Sequence, residues 1–276
     1  MGTDMKISSI LVAIDSSTGA KSIVKAAVNL AYMTNAKLQA IYIEESDWFE
    51  VSRMSFSRQI SSYTGELIPY TEKHITDQSR ALGSLLERLI TGLSEKRQIE
   101  YSFQMVRGSA NEKLLAAAAD FDMVMIGRTR QPGKFKTHIG STVRYMTDHC
   151  PSPVLIWNDE SDLPGKVIGI GTTPQQSMPV IEWTIALGKI LEQEPSLFWS
   201  EKSLFPADKN NLANQIKKIT PELADYILEI SEIYPELNQD TLRYFTHQLL
   251  VMERNLFNPD RPDDFIGYLP NSVLLV

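Results

Sequence analysis

Short apolar runs and amphipathic segments alternate along the first part of the chain. Residues 10–14 form a continuous apolar run that ends at Asp15, a pattern typical of a parallel strand buried on both faces. The two serines after Asp15 are candidates to cap the next helix. Apolar positions then recur at helical spacing as far as Asn35, and residues 38–43 predict a second strand. This order predicts two parallel strands joined by a right-handed crossover.

The same alternation extends to the middle of the chain. Residues 75–93 carry leucines on one helical face, residues 99–105 alternate as in a strand, and residues 109–112 form a helix-capping box. Apolar runs at residues 123–126 and 154–157 predict two further strands. Strands that alternate with helices in this way predict a doubly wound parallel sheet of the α/β class.

The pattern partly restarts after residues 158–165, an acidic linker that contains a proline. Residues 167–171 match the first strand, and residues 249–252 match the apolar run at residues 123–126. The last eight residues mirror residues 150–157. These matches indicate a twofold duplication and not a long repeat array.

We therefore expect two Rossmann-like domains in tandem, residues 1–158 and residues 165–276. The second domain is shorter, and we expect it to be reduced by a strand. Its other predicted elements are a helix at residues 180–191, a strand at residues 196–199 and a helix at residues 220–233.

A glycine-containing loop follows the apolar run at residues 123–126. Its sequence is Gly127-Arg128-Thr129-Arg130, then nine residues, then Gly140-Ser141-Thr142. Ligands of open α/β sheets bind at the carboxyl ends of strands, glycine lets backbone amides approach an anion, and a helix N-terminus supplies free N–H groups. The loop therefore predicts a phosphate site that uses Ser141 and Thr142. The alternative is that the glycines permit a tight loop and Ser141 only caps a helix.

These features together resemble the universal stress protein family. Members of that family carry a Gly-x-x-Gly-(nine)-Gly-Ser/Thr motif here, a first strand that ends in aspartate and a last strand introduced by a Cys-Pro-x-Pro-Val-like sequence. This chain has at those places Asp15, Gly127, Gly140, Ser141 and Cys150-Pro151-Ser152-Pro153-Val154. The resemblance covers residues 6–157 well and the remainder weakly.

The resemblance implies a stress-response protein that binds ATP or a related adenine nucleotide, together with magnesium, in the first domain. In ATP-binding members the aspartate contacts the nucleoside, the end of the second strand faces adenine and the glycine loop holds the phosphates. The residues of this chain that take these roles are Asp15, Ile43, Gly127, Gly140, Ser141 and Thr142. Slow ATP hydrolysis stays open, but we expect no conventional enzyme and assign no catalytic residue.

Arg130 departs from the family motif, because it stands where the second glycine is expected. In one interpretation its side chain blocks the close approach of the backbone to a phosphate, which favours a scaffold protein of the same fold without a nucleotide. In the other, its guanidinium binds the phosphates together with Arg128, Lys134 and Lys136. The second interpretation makes Arg130 part of the nucleotide site.

The second domain is expected to have lost the site. Gly171 takes the position of the aspartate, and Glu253 takes that of the first motif glycine. Because sheets of the family associate through their last strands, the resemblance implies that residues 154–156 pair with residues 273–275. This pairing would form an internal pseudo-dimer and cover two sheet edges, and it leaves further dimerisation open.

Residues 46–70 are polar and aromatic without a clear period. They form either a lid or pocket wall over the sheet or an insertion that packs on one of the halves, and we favour the second interpretation. A lipid or metabolite bound near this segment is a third hypothesis for the function, beside nucleotide binding and a scaffold.

Charge and composition narrow the classes of partner. A formal net charge of −7 disfavours nucleic acid and anionic membranes, so nucleotide and unknown protein partners remain. The single cysteine, Cys150, excludes a disulfide within the chain and favours a reducing compartment. The polar start and the absence of a long apolar run indicate a cytoplasmic protein. No histidine stands at metal-binding spacing from another ligand, so we expect no metal site.

Overall fold

The computed structural model describes most of the first half of the chain and parts of the second. The described residues are 5–17, 19–45, 49–50, 52–53, 58–60, 65–128, 140–158, 166–171, 178–193, 195–199, 245, 248–256 and 271–276. The helix predicted at residues 220–233 lies outside them.

Outside residues 46–70, the first half alternates strands and helices as predicted. Its strands are β1 (Ser9–Ile14), β2 (Lys37–Glu45), β3 (Arg58–Ile60), β4 (Leu67–Pro69), β5 (Tyr101–Gly108), β6 (Met123–Gly127) and β7 (Val154–Trp157). Its helices are α1 (Ala20–Thr34), α2 (Glu72–Arg97), α3 (Ala110–Ala118) and α4 (Ser141–His149). Asn35 ends α1 in the left-handed conformation, and Ser109 caps α3 by accepting the N–H of Glu112. Both helix boundaries agree with the sequence patterns.

The second half contributes a similar but shorter series. Its elements are β8 (Val167–Gly171), α5 (Met178–Ile190), β9 (Pro195–Trp199), β10 (Leu249–Met252), a 3₁₀ turn (Arg254–Leu256) and β11 (Ser272–Leu275). The predicted strands and the first predicted helix of this half are therefore present. Among the helices that the structure describes, none is long and apolar enough to cross a bilayer.

Nine strands form one continuous sheet in the order β5-β2-β1-β6-β7-β11-β10-β8-β9. Neighbouring strands run parallel except β7 and β11, which pair antiparallel in the middle of the sheet. The pairs are Val273 with Ile156, Leu274 with Leu155 and Leu275 with Val154. This strand pairing and the mostly parallel α/β fold confirm the corresponding predictions. The division into domains at residues 158 and 165 stays a prediction.

The two halves use the same strand register. The strand β1 pairs with β2 and β6 in the way that β8 pairs with β9 and β10. Ile170 faces Met252 as Ala13 faces Ile126, so with residues 249–252 matched to residues 123–126 the next residue, Gly171, corresponds to Ile14. The predicted match of Gly171 to the aspartate after β1 is therefore wrong by one residue. The true counterpart of that aspartate is Thr172, which lies outside the described residues.

Helices cover both faces of the sheet, and each face carries its own apolar core. The helices α1, α2 and α5 pack on one face, with Val24, Leu86 and Trp183 among the buried contacts. The helices α3 and α4 pack on the other face through Leu114 and Met146. Successive strand residues point to opposite faces, so central strands that are covered on both sides are apolar throughout.

Two arginines join the halves in a reciprocal way. Arg128 follows β6, and its Nη2 donates to the carbonyl oxygen of Asn271 at 3.0 Å. Arg254 follows β10, and its Nη2 donates to the carbonyl oxygen of Ser152 at 2.5 Å. In the shared register Arg128 and Arg254 are counterparts, and Asn271 and Ser152 are counterparts. The contacts therefore follow the self-complementary rule of a twofold interface.

Candidate functional site

A cavity of about 660 Å³ lies at the carboxyl ends of β1, β2 and β6. This edge of a parallel sheet is where α/β proteins bind their ligands. Six of the seven predicted site residues line it, namely Asp15, Ile43, Gly127, Gly140, Ser141 and Thr142. The seventh, Arg130, lies outside the described residues, and both interpretations of it stay predictions.

Asp15 stands exposed at the end of β1, where the turn to α1 begins. Its Oδ1 accepts the backbone N–H of Ser17 at 3.0 Å. The N-cap of α1 is Gly19, and no side chain caps that helix. The prediction that Ser16 or Ser17 caps α1 is therefore wrong, because the carboxylate of Asp15 organises a longer turn in which both serines line the cavity.

Gly127, the last residue of β6, leaves open space at the cavity wall. Its φ is not positive, so the backbone conformation does not require glycine. Among the described residues, a Cβ added here would meet only Cδ1 of Ile23, at 3.8 Å, which is an ordinary contact. Neither backbone nor packing within the described residues demands glycine, so the open backbone is accessible to a ligand in the cavity.

The helix α4 begins with its first turn at the cavity wall. Gly140 is its N-cap, with φ −64° and ψ 156°, and no side chain caps the helix. Ser141 is the first helical residue, so the alternative that Ser141 only caps the helix is wrong. The first N–H groups of a helix lack intrahelical partners. The cavity wall therefore offers backbone donors, the hydroxyls of Ser141 and Thr142, and the positive end of the helix dipole to an anion.

The strand β2 forms a second wall of the cavity. Ile43 is 7% exposed and packs with the α3 and α4 face, whereas Tyr42 packs with the opposite face. The hydroxyl of Tyr42 lies 3.2 Å from Oγ of Ser79 on α2. Burial is the main cause that raises the pKa of Tyr42 above its ordinary 10.0. Tyr42 is therefore a neutral hydrogen-bonding group at physiological pH.

Glu44, Arg107 and Phe49 form a charged and aromatic cluster beside the cavity. Oε2 of Glu44 accepts from Nε of Arg107 at 3.1 Å, and the side chain of Glu44 is only 8% exposed. The guanidinium carbon of Arg107 lies 3.9 Å from the centre of the Phe49 ring, within cation–π distance. Because Glu44 and Phe49 both line the cavity, these contacts hold that part of the wall in place.

Sequence reasoning missed the part of the cavity wall that α2 provides. The contributors from α2 are Ile75, Gln78, Ser79 and Leu82. Their spacing of i, i+3, i+4 and i+7 places them on one helical face, and this periodicity is the sequence signal that could have identified them. Phe49 and Tyr70 line the cavity from the aromatic segment. For these two residues the structure favours the pocket-wall interpretation over the packing interpretation that we favoured from the sequence.

The corresponding place in the second half carries Glu253. In the shared register this residue matches Gly127, and it is 6% exposed. A buried carboxylate at that place repels a phosphate instead of binding one. In the part of the chain that the structure describes, no group of three or more His, Cys, Asp or Glu side chains is placed to hold a metal ion.

A model of the universal stress protein family matches residues 6–157. The match spans more than half of the 276 residues and ends at the last residue of β7. It contains all seven predicted site residues. No curated protein sequence matches the chain.

Solved structures of universal stress proteins share the fold. One from Archaeoglobus fulgidus DSM 4304 has a TM-score of 0.68 and 12% identity, covering 97% of this chain and 97% of that chain. A putative universal stress protein from Pseudomonas aeruginosa UCBPP-PA14 has a TM-score of 0.64 and 13% identity, covering 100% of this chain and 95% of that chain. At these identities the likeness shows the fold alone. A universal stress protein solved in complex with cAMP has a TM-score of 0.34 and 14% identity, covering 56% of this chain and 100% of that chain.

Proposed function

Because the chain belongs to the universal stress protein family, we propose that its first half binds ATP or a related adenine nucleotide in the cavity at the carboxyl ends of β1, β2 and β6. The first turn of α4 and the backbone beside Gly127 receive the phosphates. The wall formed by β2 faces the base, and Asp15 contacts the nucleoside. The protein then acts in the stress response through its nucleotide-bound state and its protein partners, not through fast turnover.

The observation that carries this proposal is the convergence on one cavity of six residues that the family resemblance assigns to the nucleotide site. These residues come from three strand ends and one helix N-terminus that lie far apart in the sequence. The donors offered by α4 suit an anion, and the apolar and aromatic residues of the remaining wall suit a base. The cavity therefore offers suitable contacts to both the phosphates and the base of a nucleotide.

The accessible backbone at Gly127 provides a sharp test. We expect Gly127→Ala to weaken binding of Mg–ATP at least tenfold, about 1.4 kcal/mol, because the new methyl group fills the space that a phosphate would occupy. Its stability should change little, since the added carbon meets only Ile23 at 3.8 Å among the described residues. Titration calorimetry on the full chain measures the affinity, and urea unfolding measures the stability.

The matched control is Gly92→Ala. Gly92 lies in α2 away from the cavity, and an added Cβ there meets nothing within 4 Å among the described residues. This variant should bind ATP like the wild type and should be more stable by about 0.5–1 kcal/mol, because alanine favours a helix. An unchanged dissociation constant in Gly127→Ala, with a normal fold, would overturn the phosphate assignment.

A further inference from the structure

An arginine of the second half holds the C-terminal end of α4. Arg254 lies two residues after β10 and is partly buried. Its Nη1 donates to the carbonyl oxygens of Thr147, at 3.2 Å, and Cys150, and its Nη2 donates to that of Ser152 at 2.5 Å. One planar guanidinium thus bridges the last turn of α4 and the residues that lead into β7.

The other end of α4 forms the anion-binding wall of the cavity. Its first turn lines the cavity from Gly140 to Val143. The helix has nine residues, so its two ends are only about 14 Å apart. Inside it, Oγ1 of Thr147 donates to the carbonyl oxygen of Val143 at 2.8 Å, beside the backbone hydrogen bonds of the helix. A displacement of the C-terminal end would therefore also displace the donors of the first turn.

The strand end on the other side of the phosphate site is attached to the second half in the same way. Gly127 lines the cavity, and Arg128 follows it directly. Arg128 is 2% exposed, its backbone N–H donates to the carbonyl oxygen of Trp157 at 2.9 Å, and its Nη2 donates to that of Asn271 at 3.0 Å. Asn271 belongs to the second half and directly precedes β11. An arginine therefore connects each of the two phosphate-binding elements to the second half.

The wall that we assign to the base lies farther from the second half. In the sheet, β1, β6 and β7 stand between β2 and β11, whereas only β7 stands between β6 and β11. Neighbouring strands are about 4.8 Å apart, so β2 lies roughly 19 Å from β11 and β6 roughly 10 Å from it. The contacts with the second half should therefore act on the phosphate end of the cavity more than on the base end.

We infer that Arg254 is a positioning residue of the nucleotide site, which acts through α4 on the affinity for the phosphates and not on that for the adenosine part. This inference rests on the proposed function and gives the second half a role in it. Arg254 is not among the described residues that line the cavity, so its effect on binding is indirect. Binding groups keep their geometry only when the residues behind them are fixed.

The test compares Mg–ATP with adenosine, which has the base and the sugar but no phosphates. Titration calorimetry gives both dissociation constants for the full-length wild type and for Arg254→Met, with adenosine measured by its competition with ATP. We expect ATP to bind the variant about tenfold or more weakly, because a small displacement of the first turn of α4 weakens several contacts at once. Adenosine should bind both proteins equally. A general loss of packing would instead weaken both ligands by the same factor.

A conservative variant and a matched control complete the test. Arg254→Lys keeps the positive charge but has one nitrogen to donate where arginine uses two, so it should show an intermediate loss, and it serves as the test variant if Arg254→Met does not fold.

The matched control is Arg97→Met, since Arg97 is also a partly buried arginine. It donates to Asn29 and lies 5.6 Å from the ring centre of Tyr32 at the C-terminal end of α2. It stands fifteen residues after Leu82, the last residue of α2 in the cavity wall, which is about 22 Å along the helix. Arg97→Met should bind ATP and adenosine like the wild type.

The outcomes separate this inference from the proposed function. Unchanged ATP affinity in Arg254→Met, or an equal loss for ATP and adenosine, would overturn the positioning role and leave nucleotide binding intact. Equal wild-type affinities for ATP and adenosine would overturn the phosphate assignment and the inference with it. Failure of the wild-type chain to bind ATP would overturn both the inference and the proposed function.

Discussion

Asp15 has two structural features that bear on ligand binding, a hydrogen bond within the turn after β1 and a position in the cavity wall. It accepts the N–H of Ser17 and lines the cavity. Asp15→Ala removes the acceptor and the charge, whereas Asp15→Asn keeps an acceptor oxygen for the turn. We expect Asp15→Ala to weaken ATP binding about tenfold, or ~1.4 kcal/mol, and Asp15→Asn to weaken it less. Calorimetric dissociation constants of the three proteins measure this order.

The two variants distinguish the possible roles of the carboxylate. An unchanged affinity in Asp15→Ala would contradict the contact with the nucleoside. Equal losses in both variants would assign the effect to the charge and not to the hydrogen bond. Urea unfolding of each variant checks that the turn after β1 still forms.

The site residues were assigned through the family resemblance, and the motif residues that carry this resemblance are visible locally. Asp15 and Gly127 stand at the ends of apolar runs, and Ser141 follows a glycine at a helix start. Glu44, a further residue of the cavity wall, is held instead by Arg107, which is 63 residues away and is placed beside it by strand pairing. Contacts of this kind require the register of the sheet, so Glu44 could not be found from the sequence.

At the scale of secondary structure, α4 connects the cavity to the second half of the chain. Its N-terminal residues line the cavity, while Arg254 of the second half donates to carbonyl oxygens at its C-terminal end. The acceptors are Thr147 at 3.2 Å, Ser152 at 2.5 Å, and Cys150. A cation at this end also matches the negative pole of the helix dipole. The second half thus helps to hold the helix that carries Ser141.

Arg254→Met should therefore lower the free energy of unfolding by about 1–3 kcal/mol, because buried carbonyl oxygens lose a charged donor. Urea unfolding of the wild type and the variant measures this loss. The control is Lys37→Met, which breaks a surface ion pair with Glu100 and should change stability by less than about 1 kcal/mol. Similar small effects in both variants would contradict a supporting role for Arg254.

Elements with a strong period were predictable, and the turns between them were not. The central strands are covered on both faces, so their apolar runs are continuous and their bounds agree with the prediction within a few residues. The start of α1 was misplaced because serines after a strand look like caps. In the structure the competing acceptor is the side chain of Asp15, which takes the N–H of Ser17.

At the scale of the whole molecule, the antiparallel pairing of β7 with β11 joins two parallel sheets into one. The pairing covers the edges that these strands would otherwise expose. The reciprocal contacts of Arg128 and Arg254 lie on either side of it. This geometry supports the hypothesis that the second half is a degenerate duplicate of the first. Its structural role in this hypothesis is to form the interface with β7 and to support α4.

The duplication could be proposed from the sequence because the last strands and their preceding prolines look alike. The alignment of β8 with β1 was less certain, because a shift of one residue between two short apolar runs still matches apolar residues with apolar residues. Strand pairing resolves that ambiguity, because Ile170 faces Met252 as Ala13 faces Ile126. The resulting correction moves the counterpart of Asp15 to Thr172 and leaves the match of Glu253 to Gly127 unchanged.

The number of nucleotide sites per chain tests the central claim most directly. It is measured by calorimetric titration of the full chain with ATP and magnesium, after a check that the purified protein retains no nucleotide. We expect one site per chain, because the cavity of the first half has an open glycine backbone where the second half has buried Glu253. No binding at millimolar ATP, or two equivalent sites per chain, would contradict this account.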